Sequence, residues 1–446
     1  MKLRFLATLA IASALLLSAC DNASPPPTPT MVPEPSRSVG GALLPVTVET
    51  TDATRIGNLA TEHTINLPSG FGIKVFAAGL SHVRKMAFSP DGVLYATVRA
   101  EGRVVRLPDA DSDGVADEVQ TVADNLQGVH GIAFKDGVLY VATEVEVLRL
   151  EDTNGDHVAD NRVPIIDDMP TGGTGRAGAN HSTRTIEFGP DGKLYVAMGS
   201  SCNACLEQDA RRAAISRYTL DGKLDKVFAK GIRNAVGIKF HPITGELWAV
   251  NNGRDGLGDE LPPEAVYRMR EDGNYGWPYC YGDRVPDTTL DFPTPQDYCA
   301  SVDVPTFTLP PHSAPLGLAF YYGDQFPEDY KGDMFIGIHG SWDRTSPRGY
   351  KIVRVPFKDN QPDTGAPALV EDFATGWLLD DLTHWGRPVD VVVAPDGSLF
   401  VTDDAGMAIY KIYYKNPSGR QGGNSTSAGC VLSIRQTKVS TIRVLG

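Results

Sequence analysis

The chain has 446 residues, of which 41% are hydrophobic and 22% are charged, so it is neither disordered throughout nor too short to bury a sizeable core. Its 55 acidic residues outnumber its 41 basic residues, for a formal net charge of −14 at pH 7. This balance excludes nucleic acid as the main partner, because binding to phosphates needs a basic surface.

The amino terminus is typical of an export signal. Two basic residues precede an apolar run over residues 5–17, which is too short to span a bilayer. The run ends in a lipobox-like Leu-Ser-Ala-Cys, which predicts a lipoprotein-type signal peptide over residues 1–20 and lipidation of Cys20; an ordinary signal peptide that contains a cysteine is the alternative. Residues 21–62 are predicted to be a tether whose first part is rich in proline, serine and threonine. We therefore expect an exported, periplasmic protein that reaches a bacterial membrane through its lipid anchor only.

Six segments repeat one pattern, an apolar strand, a turn and a second apolar strand. They cover residues 86–98, 132–143, 186–198, 238–250, 318–338 and 391–402. Most of them turn at Asp-Gly, a strong hairpin signal because glycine takes positive φ without steric cost. Repeats of this kind without helical periodicity predict an all-β fold, a six-bladed β-propeller of four-stranded blades, over residues 63–414. A sandwich of unrelated hairpins is the alternative.

Two further segments complete this prediction. We expect Phe71–Ala78 to be a strand that closes the ring by sharing a blade with residues 409–413. Beyond Tyr414 the apolar pattern stops. Residues 415–446 contain basic residues but no acidic one, and are predicted to be a poorly ordered tail.

Two acidic loops carry oxygen donors at alternating positions. The donors are Asp109, Asp111, Asp113 and Asp117 in the first loop, and Asp152, Asn154, Asp156 and Asp160 in the second. Calcium takes about six to eight hard oxygen ligands, and alternating donors allow a short loop to fold around one ion. We predict structural Ca²⁺ sites in these loops, with solvated acidic turns as the alternative.

Four cysteines lie within the predicted propeller, and an exported protein meets a compartment in which they can pair. Cys202 and Cys205 form a CxxC, which also fits a redox site or half of a zinc site, and Cys280 and Cys299 flank a loop. No second CxxC completes a zinc cage, and Leu206 stands where haem attachment needs a histidine. We therefore favour two structural disulfides, one within each pair.

Polar or glycine-rich residues precede the first strand of each repeat. If that strand is the innermost, these loops converge on one end of the central channel. That end then holds His130, His181, His312, Arg84, Arg233 and Arg387. A lone histidine is usually structural, but three beside three arginines suit an anionic cofactor and a proton acceptor working near neutral pH. From this placement we expect Gln127, His130 and His312 to contact the cofactor.

Six motifs carry a resemblance to a known family. They are His181 ahead of Gly189-Pro190-Asp191-Gly192, Arg233-Asn234, Gly253-Arg254-Asp255-Gly256-Leu257-Gly258-Asp259-Glu260, Gly273-Asn274-Tyr275-Gly276-Trp277-Pro278, Gly340-Ser341-Trp342-Asp343-Arg344 and Trp385-Gly386-Arg387-Pro388. Together they resemble the glucose/sorbosone dehydrogenase family, whose members are soluble, calcium-dependent quinoproteins that bind pyrroloquinoline quinone (PQQ) on a six-bladed propeller. The last two motifs are similar to the sorbosone-type branch, and the resemblance covers roughly residues 65–414.

The resemblance implies roles for individual residues. His181 matches the general base, which removes the proton of the substrate hydroxyl while hydride passes to the quinone. Arg233 matches the arginine beside the reacting carbonyl, and Asn234 matches a cofactor contact. These roles agree with elementary chemistry, because hydride transfer needs a base and a positive charge where an oxyanion develops.

Further residues match the family's metal and carboxylate contacts. The backbone carbonyls of Gly253 and Arg254, with Asp255 as an added side-chain ligand, match the site of the cofactor's calcium. Arg344 and Arg387 fall where the family places cations against the quinone carboxylates. The chain departs from the glucose enzymes at two of these places, since those enzymes have Gly-Pro instead of Gly253-Arg254 and a lysine near Arg344.

The sequence thus predicts a PQQ- and Ca²⁺-dependent dehydrogenase that oxidises a sugar, such as an aldose or a sorbosone-like compound, or a related alcohol or aldehyde. The chain has no haem motif, and the sequence does not identify the electron acceptor, a quinone or a cytochrome. A calcium-dependent, lactonase-like propeller hydrolase is an alternative, although it would need an axial cation held by carboxylates. A non-enzymatic binding propeller is a second alternative, against which His181 and Arg233 argue.

Overall fold

The six repeats fold into six sheets whose first strands contact one another in a closed ring. The sheets belong to a computed structural model that describes residues 42–171, 181–365 and 369–415. These residues lie in one compact unit, Glu34–Gly446. The predicted all-β, six-bladed propeller with four-stranded blades is confirmed.

The strands of blades 1 to 3 follow one another along the chain from the inner edge to the outer edge. Blade 1 comprises Val83–Phe88, Leu94–Val98, Arg103–Leu107 and Gln120–Ala123. Blade 2 comprises Gly131–Lys135, Val138–Ala142, Val147–Glu151 and Asn161–Ile166. Blade 3 comprises Arg184–Phe188, Leu194–Met198, Ala214–Tyr218 and Leu224–Lys230, extended by a short parallel strand, Gly273–Asn274.

Blades 4 to 6 complete the ring. Blade 4 comprises Gly237–Phe240, Leu247–Asn251, Glu264–Arg268 and Phe307–Leu309. Blade 5 comprises Pro315–Phe320, Met334–Ile338, Lys351–Val355 and Glu371–Ala374. Blade 6 comprises Pro388–Val393, Leu399–Asp403, Ala408–Tyr414 and, on its outer edge, Phe71–Ala78.

The other described elements are short. Three hairpins pair Leu44–Thr47 with Thr64–Leu67, Cys280–Tyr281 with Val285–Pro286, and Phe357–Lys358 with Gln361–Pro362. The 3-10 helices are Gly57–Ala60, Arg99–Glu101, Cys299–Ser301 and Glu328–Tyr330. Within the described residues, no helix has the length and apolarity needed to cross a membrane.

The second strands of the blades are covered on both faces. All five residues of Leu194–Met198 and of Met334–Ile338 are buried, because each blade is packed between two neighbours. A strand that is buried on both faces reads as a continuous apolar run and not as an alternation. This burial explains why the repeats are visible in the sequence.

The ring is closed by the two ends of the propeller region. Phe71–Ala78 pairs antiparallel with Ala408–Tyr414 and becomes the outer strand of blade 6. The predicted shared blade is therefore confirmed. Backbone hydrogen bonds between these strands tie the beginning of the domain to its end.

The structure corrects the predicted tether, residues 21–62, from residue 42 onward. The strand Leu44–Thr47 pairs with Thr64–Leu67, and Val48 and Leu59 are buried in the same hydrophobic cluster as blade 6. Burying these apolar side chains stabilises the folded segment, which a free tether would leave in water. The signal peptide, Cys20 and the tail beyond residue 415 lie outside the described residues.

Both predicted disulfides are present. One joins Cys202 to Cys205 in the loop after the second strand of blade 3, and the other joins Cys280 to Cys299 in the long connection within blade 4. The first lies beside the candidate active site.

Candidate active site

One end of the propeller axis collects most of the predicted site residues. In an antiparallel blade the second strand ends where the first begins, so the residues that flank them lie at the same end. In blade 3 this rule brings His181 next to Ser200, and in blade 4 it brings Arg233 next to Gly253. The beginnings of the first strands, with the loops before them, bring His181, Arg233, Arg84 and Arg387 to this same end.

His181 is anchored through its Nδ1 atom. Nδ1 lies 3.0 Å from the carbonyl oxygen of Ser200 and 2.9 Å from the hydroxyl oxygen of the same residue. That hydroxyl donates its own proton to the carbonyl of Cys202 over 2.6 Å, so both Ser200 oxygens act as acceptors toward the ring. We therefore assign the hydrogen to Nδ1 and the lone pair to Nε2. This tautomer is the one that a general base needs.

The backbone of His181 adopts an uncommon conformation. Its φ of 53° lies in the left-handed region, which non-glycine residues rarely adopt and which clusters at functional sites. Arg184 supports the turn by donating to the carbonyl of His181 over 2.9 Å. Opposite the ring, a Cβ atom on Gly199 would lie 2.5 Å from the His181 Cβ, so glycine is required there.

Burial, together with the positive charge of Arg233, lowers the pKa of His181 to about 3. The imidazole is therefore neutral near pH 7 and able to accept a proton. Arg184 and Arg212 lower the pKa further by their charges. An anion bound against these arginines would offset their charge and raise the pKa of His181 toward the neutral range in which a base works best.

Arg233 is held on several sides and is only 5% exposed. Its Nη2 donates to Asp255 Oδ2 over 2.7 Å, and its Nη1 donates to the carbonyl of Gly253 over 2.5 Å. The backbone carbonyl and side-chain oxygen of Asn203 accept from Nε and Nη2 over 3.1 Å and 2.9 Å. The guanidinium is thus fixed before any ligand arrives, as electrostatic catalysis requires.

Asn203, between the cysteines of the CxxC, joins two loops of the site. Its Oδ1 also accepts from the amide of Asp255 over 2.9 Å, and its Nδ2 donates to the Asp255 carbonyl over 2.9 Å. Its carbonyl accepts from the indole nitrogen of Trp277 over 3.2 Å. Sequence reasoning missed this residue, because the CxxC was interpreted only as a disulfide.

Asn234 and Arg254 are placed beside these groups. The amide of Asn234 donates to the side-chain oxygen of Asn251 over 2.9 Å, which fixes the residue after Arg233. Arg254 forms an ion pair with Asp287, 2.5 Å between Nη1 and Oδ2, and the Asp287 side chain is only 1% exposed. The side chain of Arg254 is therefore held by a buried partner.

A second charged group surrounds Asp404. Arg84 Nη1 and His339 Nε2 lie 2.5 Å and 3.0 Å from its oxygens. Burial raises the pKa of Asp404, but the hydrogen bond from His339 and the charge of Arg84 outweigh burial and hold the pKa below its usual range. Arg387 donates to the carbonyls of His339 and Gly340 over 3.2 Å and 2.6 Å.

Ser200, His339 and Asp404 were missed although a signal for them exists. Each follows the second strand of its blade, and antiparallel pairing puts that position beside the start of the first strand. Glu264 was missed as well. Burial raises the pKa of this carboxyl to about 7, and its oxygens accept from the amides of Gly253 over 2.6 Å and Ala314 over 3.2 Å.

Four more residues are predicted to contact the cofactor, and their surroundings differ from one another. Gln127 is exposed. His130 is fully buried, and its two ring nitrogens have no hydrogen-bond partner among the described residues. Arg344 pairs with Glu260 over 2.9 Å and donates to the carbonyl of Asp259. His312 is buried against the loop that contains Asp259 and Glu260.

The two acidic loops join the third and fourth strands of blades 1 and 2. Oxygens of Asp109, Asp111 and Asp113 lie within 4.8 Å of one another in the first loop. In the second loop the Asp152 oxygens accept from the amides of Gly155 over 2.7 Å and of His157 over 2.9 Å. Both loops lie outside the cluster around His181.

Arginines that are buried or partly buried give the axial site a positive character. They are Arg99, Arg184, Arg212, Arg233 and Arg387. Burial lowers the pKa of each guanidinium, in the case of Arg184 to about 9, which shows that the positive charges are poorly solvated. A ligand with several carboxylates fits this donor set, because arginine binds carboxylates through paired hydrogen bonds.

Comparisons with known proteins identify a matching family and several similar proteins. A model of the TrAA12-like family matches residues 65–415. An uncharacterized protein of Borreliella burgdorferi is 30% identical, over 79% of this chain and 91% of that protein. A pyrroloquinoline quinone-dependent pyranose dehydrogenase of Coprinopsis cinerea is 26% identical, over 78% of this chain and 54% of the relative. The chain thus spans about half the length of that dehydrogenase.

A solved structure shares the fold. The calcium structure of a Trichoderma reesei enzyme of carbohydrate-active family AA12 superposes with a TM-score of 0.69 at 22% identity. The superposition covers 82% of this chain and 100% of that chain.

Proposed function

The chain belongs to the TrAA12-like family of pyrroloquinoline quinone-dependent sugar dehydrogenases, and from that premise we propose that it oxidises a sugar by hydride transfer to this quinone. The observation that carries the proposal is the neutral His181, hydrogen-bonded through Nδ1 and with a lone pair on Nε2, beside a fixed Arg233. Within this class, the sorbosone-type motifs favour an aldose, a sorbosone-like compound or a related alcohol or aldehyde as substrate.

His181 acts as the general base in this proposal. Its Nε2 accepts the proton of the substrate hydroxyl, while the hydrogen bond from Nδ1 to Ser200 keeps the ring oriented. Arg233, held by Asp255 and Asn203, presents a fixed positive charge to the negative charge that develops during the reaction. The base and this charge come from adjacent blades, so the rigid ring sets their separation.

The residues of the site fit the quinone. PQQ is a polycarboxylate, and the poorly solvated arginines around His181 and Asp404 suit its carboxylates. Among the residues predicted to contact the cofactor, we propose that Arg387 and Asn234 bind the quinone. When bound, the quinone supplies the hydride acceptor that no protein side chain provides.

We propose that the cofactor's Ca²⁺ is held by the backbone carbonyls of Gly253 and Arg254. The Gly253 carbonyl already accepts from Arg233, which places it at the reacting side of the site. The Asp255 carboxylate, predicted as an added ligand, forms an ion pair with the same arginine. The Trichoderma reesei protein of the same fold has a calcium structure, which supports Ca²⁺ as the ion but says nothing of these carbonyls.

Structural Ca²⁺ in the two acidic loops is also proposed. The support is stronger for the first loop, in which Asp109 Oδ1 is shielded from solvent and has no hydrogen-bond partner among the described residues. Burial raises the pKa of Asp109, as expected for a carboxylate that lacks a counter-ion.

Export, lipidation of Cys20 and a periplasmic location remain proposals from the sequence, as does transfer of electrons to a quinone or a cytochrome. Labelling with a radioactive fatty acid in a bacterial host checks the anchor. Wild-type protein should take up the label and Cys20→Ser should not; equal labelling of both would contradict lipidation.

Reconstitution tests the function. The purified chain is titrated with PQQ in the presence of Ca²⁺, binding is followed by the absorbance of the quinone, and aldoses are then screened with an artificial electron acceptor. We expect saturable binding and sugar-dependent reduction of the acceptor. A protein that binds no PQQ, or one that binds it and oxidises neither sugars nor related alcohols and aldehydes, would overturn the proposal.

A further inference from the structure

His312, Asp255 and Asp343 form a cluster of which the proposed function uses only Asp255, the partner of Arg233. One ligand atom from each residue lies within 4.8 Å of the other two. The three residues come from different loops, at the start of blade 5, after the second strand of blade 4 and after the second strand of blade 5. The His312 side chain is only 5% exposed and that of Asp343 is 15% exposed.

The hydrogen bonds of His312 determine its tautomer. Its Nε2 lies 2.9 Å from the carbonyl of Gly258 and 2.8 Å from the carbonyl of Leu261. Both of these groups are acceptors, so Nε2 must carry the hydrogen. In the neutral imidazole, Nδ1 then holds a lone pair.

That lone pair faces carboxylate oxygens. Nδ1 lies 3.3 Å from Asp343 Oδ1, which is longer than the 2.7–2.9 Å of a charge-assisted hydrogen bond. Asp343 Oδ1 is shielded from solvent, and no group in the described part of the chain donates a hydrogen bond to it. With His312 neutral, two acceptors are buried against each other without a donor between them, an arrangement that a cation would stabilise.

We propose that Asp255, His312 and Asp343 bind a divalent first-row transition-metal ion, with Zn²⁺ the best match. Two ligands, each about 2.0–2.1 Å from a tetrahedral zinc ion, stand roughly 3.3 Å apart, which matches the spacing of Nδ1 and Asp343 Oδ1. An imidazole nitrogen favours such metals over Ca²⁺, whose ligands are oxygens. The two backbone acceptors on Nε2 supply the outer hydrogen bonds that orient a metal-binding histidine.

This site goes beyond the proposed function and is distinct from the carbonyls assigned to the cofactor's calcium. It reaches the reaction through Asp255, whose Oδ2 holds Arg233 at 2.7 Å. The ion would thus position Arg233 through a bridging carboxylate. Glu264 adds negative charge nearby, since its carboxylate accepts from the amide of Ala314, two residues after His312.

Metal binding is measured on the full chain, stripped with a chelator and free of quinone, so that the result does not depend on whether PQQ binds. Zn²⁺ and Ca²⁺ are titrated separately by calorimetry, and Co²⁺ serves as an absorbing probe of the coordination. We expect one Zn²⁺ to bind at this site and Co²⁺ to give the visible bands of a low-coordinate, nitrogen-containing complex.

Asp343→Asn is the main variant, because it preserves shape in a partly exposed loop, and His312→Gln is the second. Each should weaken Zn²⁺ binding by at least about 100-fold, since even outer partners of a ligand change metal affinity by about 10- to 100-fold. Asp324→Asn, an exposed aspartate of blade 5 that pairs with Lys331, is the matched control and should leave this binding unchanged. Absence of Zn²⁺ binding by the wild type would overturn the site, as would unchanged binding in both variants with native thermal stability.

Discussion

At the scale of single residues, the reactivity of the site depends on which nitrogen of His181 carries the hydrogen. An asparagine amide can replace the Nδ1 donor toward Ser200, but it has no counterpart of Nε2. We expect His181→Asn to lower kcat by about 100- to 10,000-fold while PQQ binding changes little, because only the general base is lost. Steady-state kinetics and quinone titration measure the two quantities. Turnover within tenfold of the wild type would remove His181 as the base.

Buried histidines make the stability of the protein depend on pH. Burial lowers the pKa of His181 to about 3 and that of His339 to about 4, both below the ordinary 6.5. The unfolded chain therefore binds protons below pH 6.5 that the folded chain does not, so stability is lost as pH falls from about 6.5 toward 4. We expect the midpoint of urea unfolding to fall between pH 7.5 and 5, and His339→Gln to reduce that fall. An equal fall in the variant would contradict the contribution of His339.

Asn203 is a positioning residue, because it acts through Arg233. Removing its side chain in Asn203→Ala frees Nη2 of Arg233 from one acceptor and loosens Asp255. Since the charge of Arg233 lowers the pKa of His181, a displaced guanidinium lets that pKa rise. We expect the acidic limb of kcat/KM to move to higher pH, together with a lower kcat. Asn66→Ala, whose side chain bonds Thr375 after the outer strand of blade 5, is the control; a lower kcat with an unmoved limb would indicate only a structural defect.

At the scale of elements, the short loop closed by the Cys202–Cys205 disulfide holds a residue that positions Arg233. The disulfide restrains the residue that ties blade 3 to Arg233. We expect the double variant Cys202→Ser/Cys205→Ser to reproduce the kinetic defect of Asn203→Ala, and addition of Asn203→Ala to this variant to have little further effect, because both act on one interaction.

The pair Cys280 and Cys299 provides the matched control for this element. It closes a loop of the blade 4 connection, and its removal should affect stability more than the pH profile. Additive kinetic effects of Asn203→Ala and the Cys202/Cys205 variant, measured under identical conditions, would contradict a shared role.

At the scale of the whole propeller, stability depends on closing the ring. Ending the chain after Met407 removes the strand Ala408–Tyr414 and exposes both Leu399–Asp403 and Phe71–Ala78. We expect this truncation to abolish cooperative thermal unfolding, because the strands on either side of the removed strand both lose their hydrogen-bonding partner. Ending the chain after Lys415 should leave the Tm nearly unchanged if residues 416–446 are the predicted tail. A large loss of Tm in this second truncation would contradict that prediction.

Much of this architecture could be predicted from the sequence because it depends on local patterns. Apolar runs on either side of Asp-Gly turns predicted six blades, and the unpaired runs at the two ends predicted their shared blade. His181 could be placed at the axis by symmetry, and the family motifs distinguished it from His130 and His312. The segment from residue 42 was predicted wrongly, because proline-rich composition before it concealed apolar residues such as Val48 and Leu59.

The sequence by itself thus determined the blades, their closure and the histidine on the axis, since strand periodicity and turn chemistry are local. Only the tertiary structure decided how that histidine is held, which nitrogen is free, and how Asn203 and Asp255 fix Arg233. It also decided contacts such as that between Arg84 and Asp404, whose residues are 320 positions apart. Such contacts arise from the closure of the ring, which brings together loops that no local pattern relates.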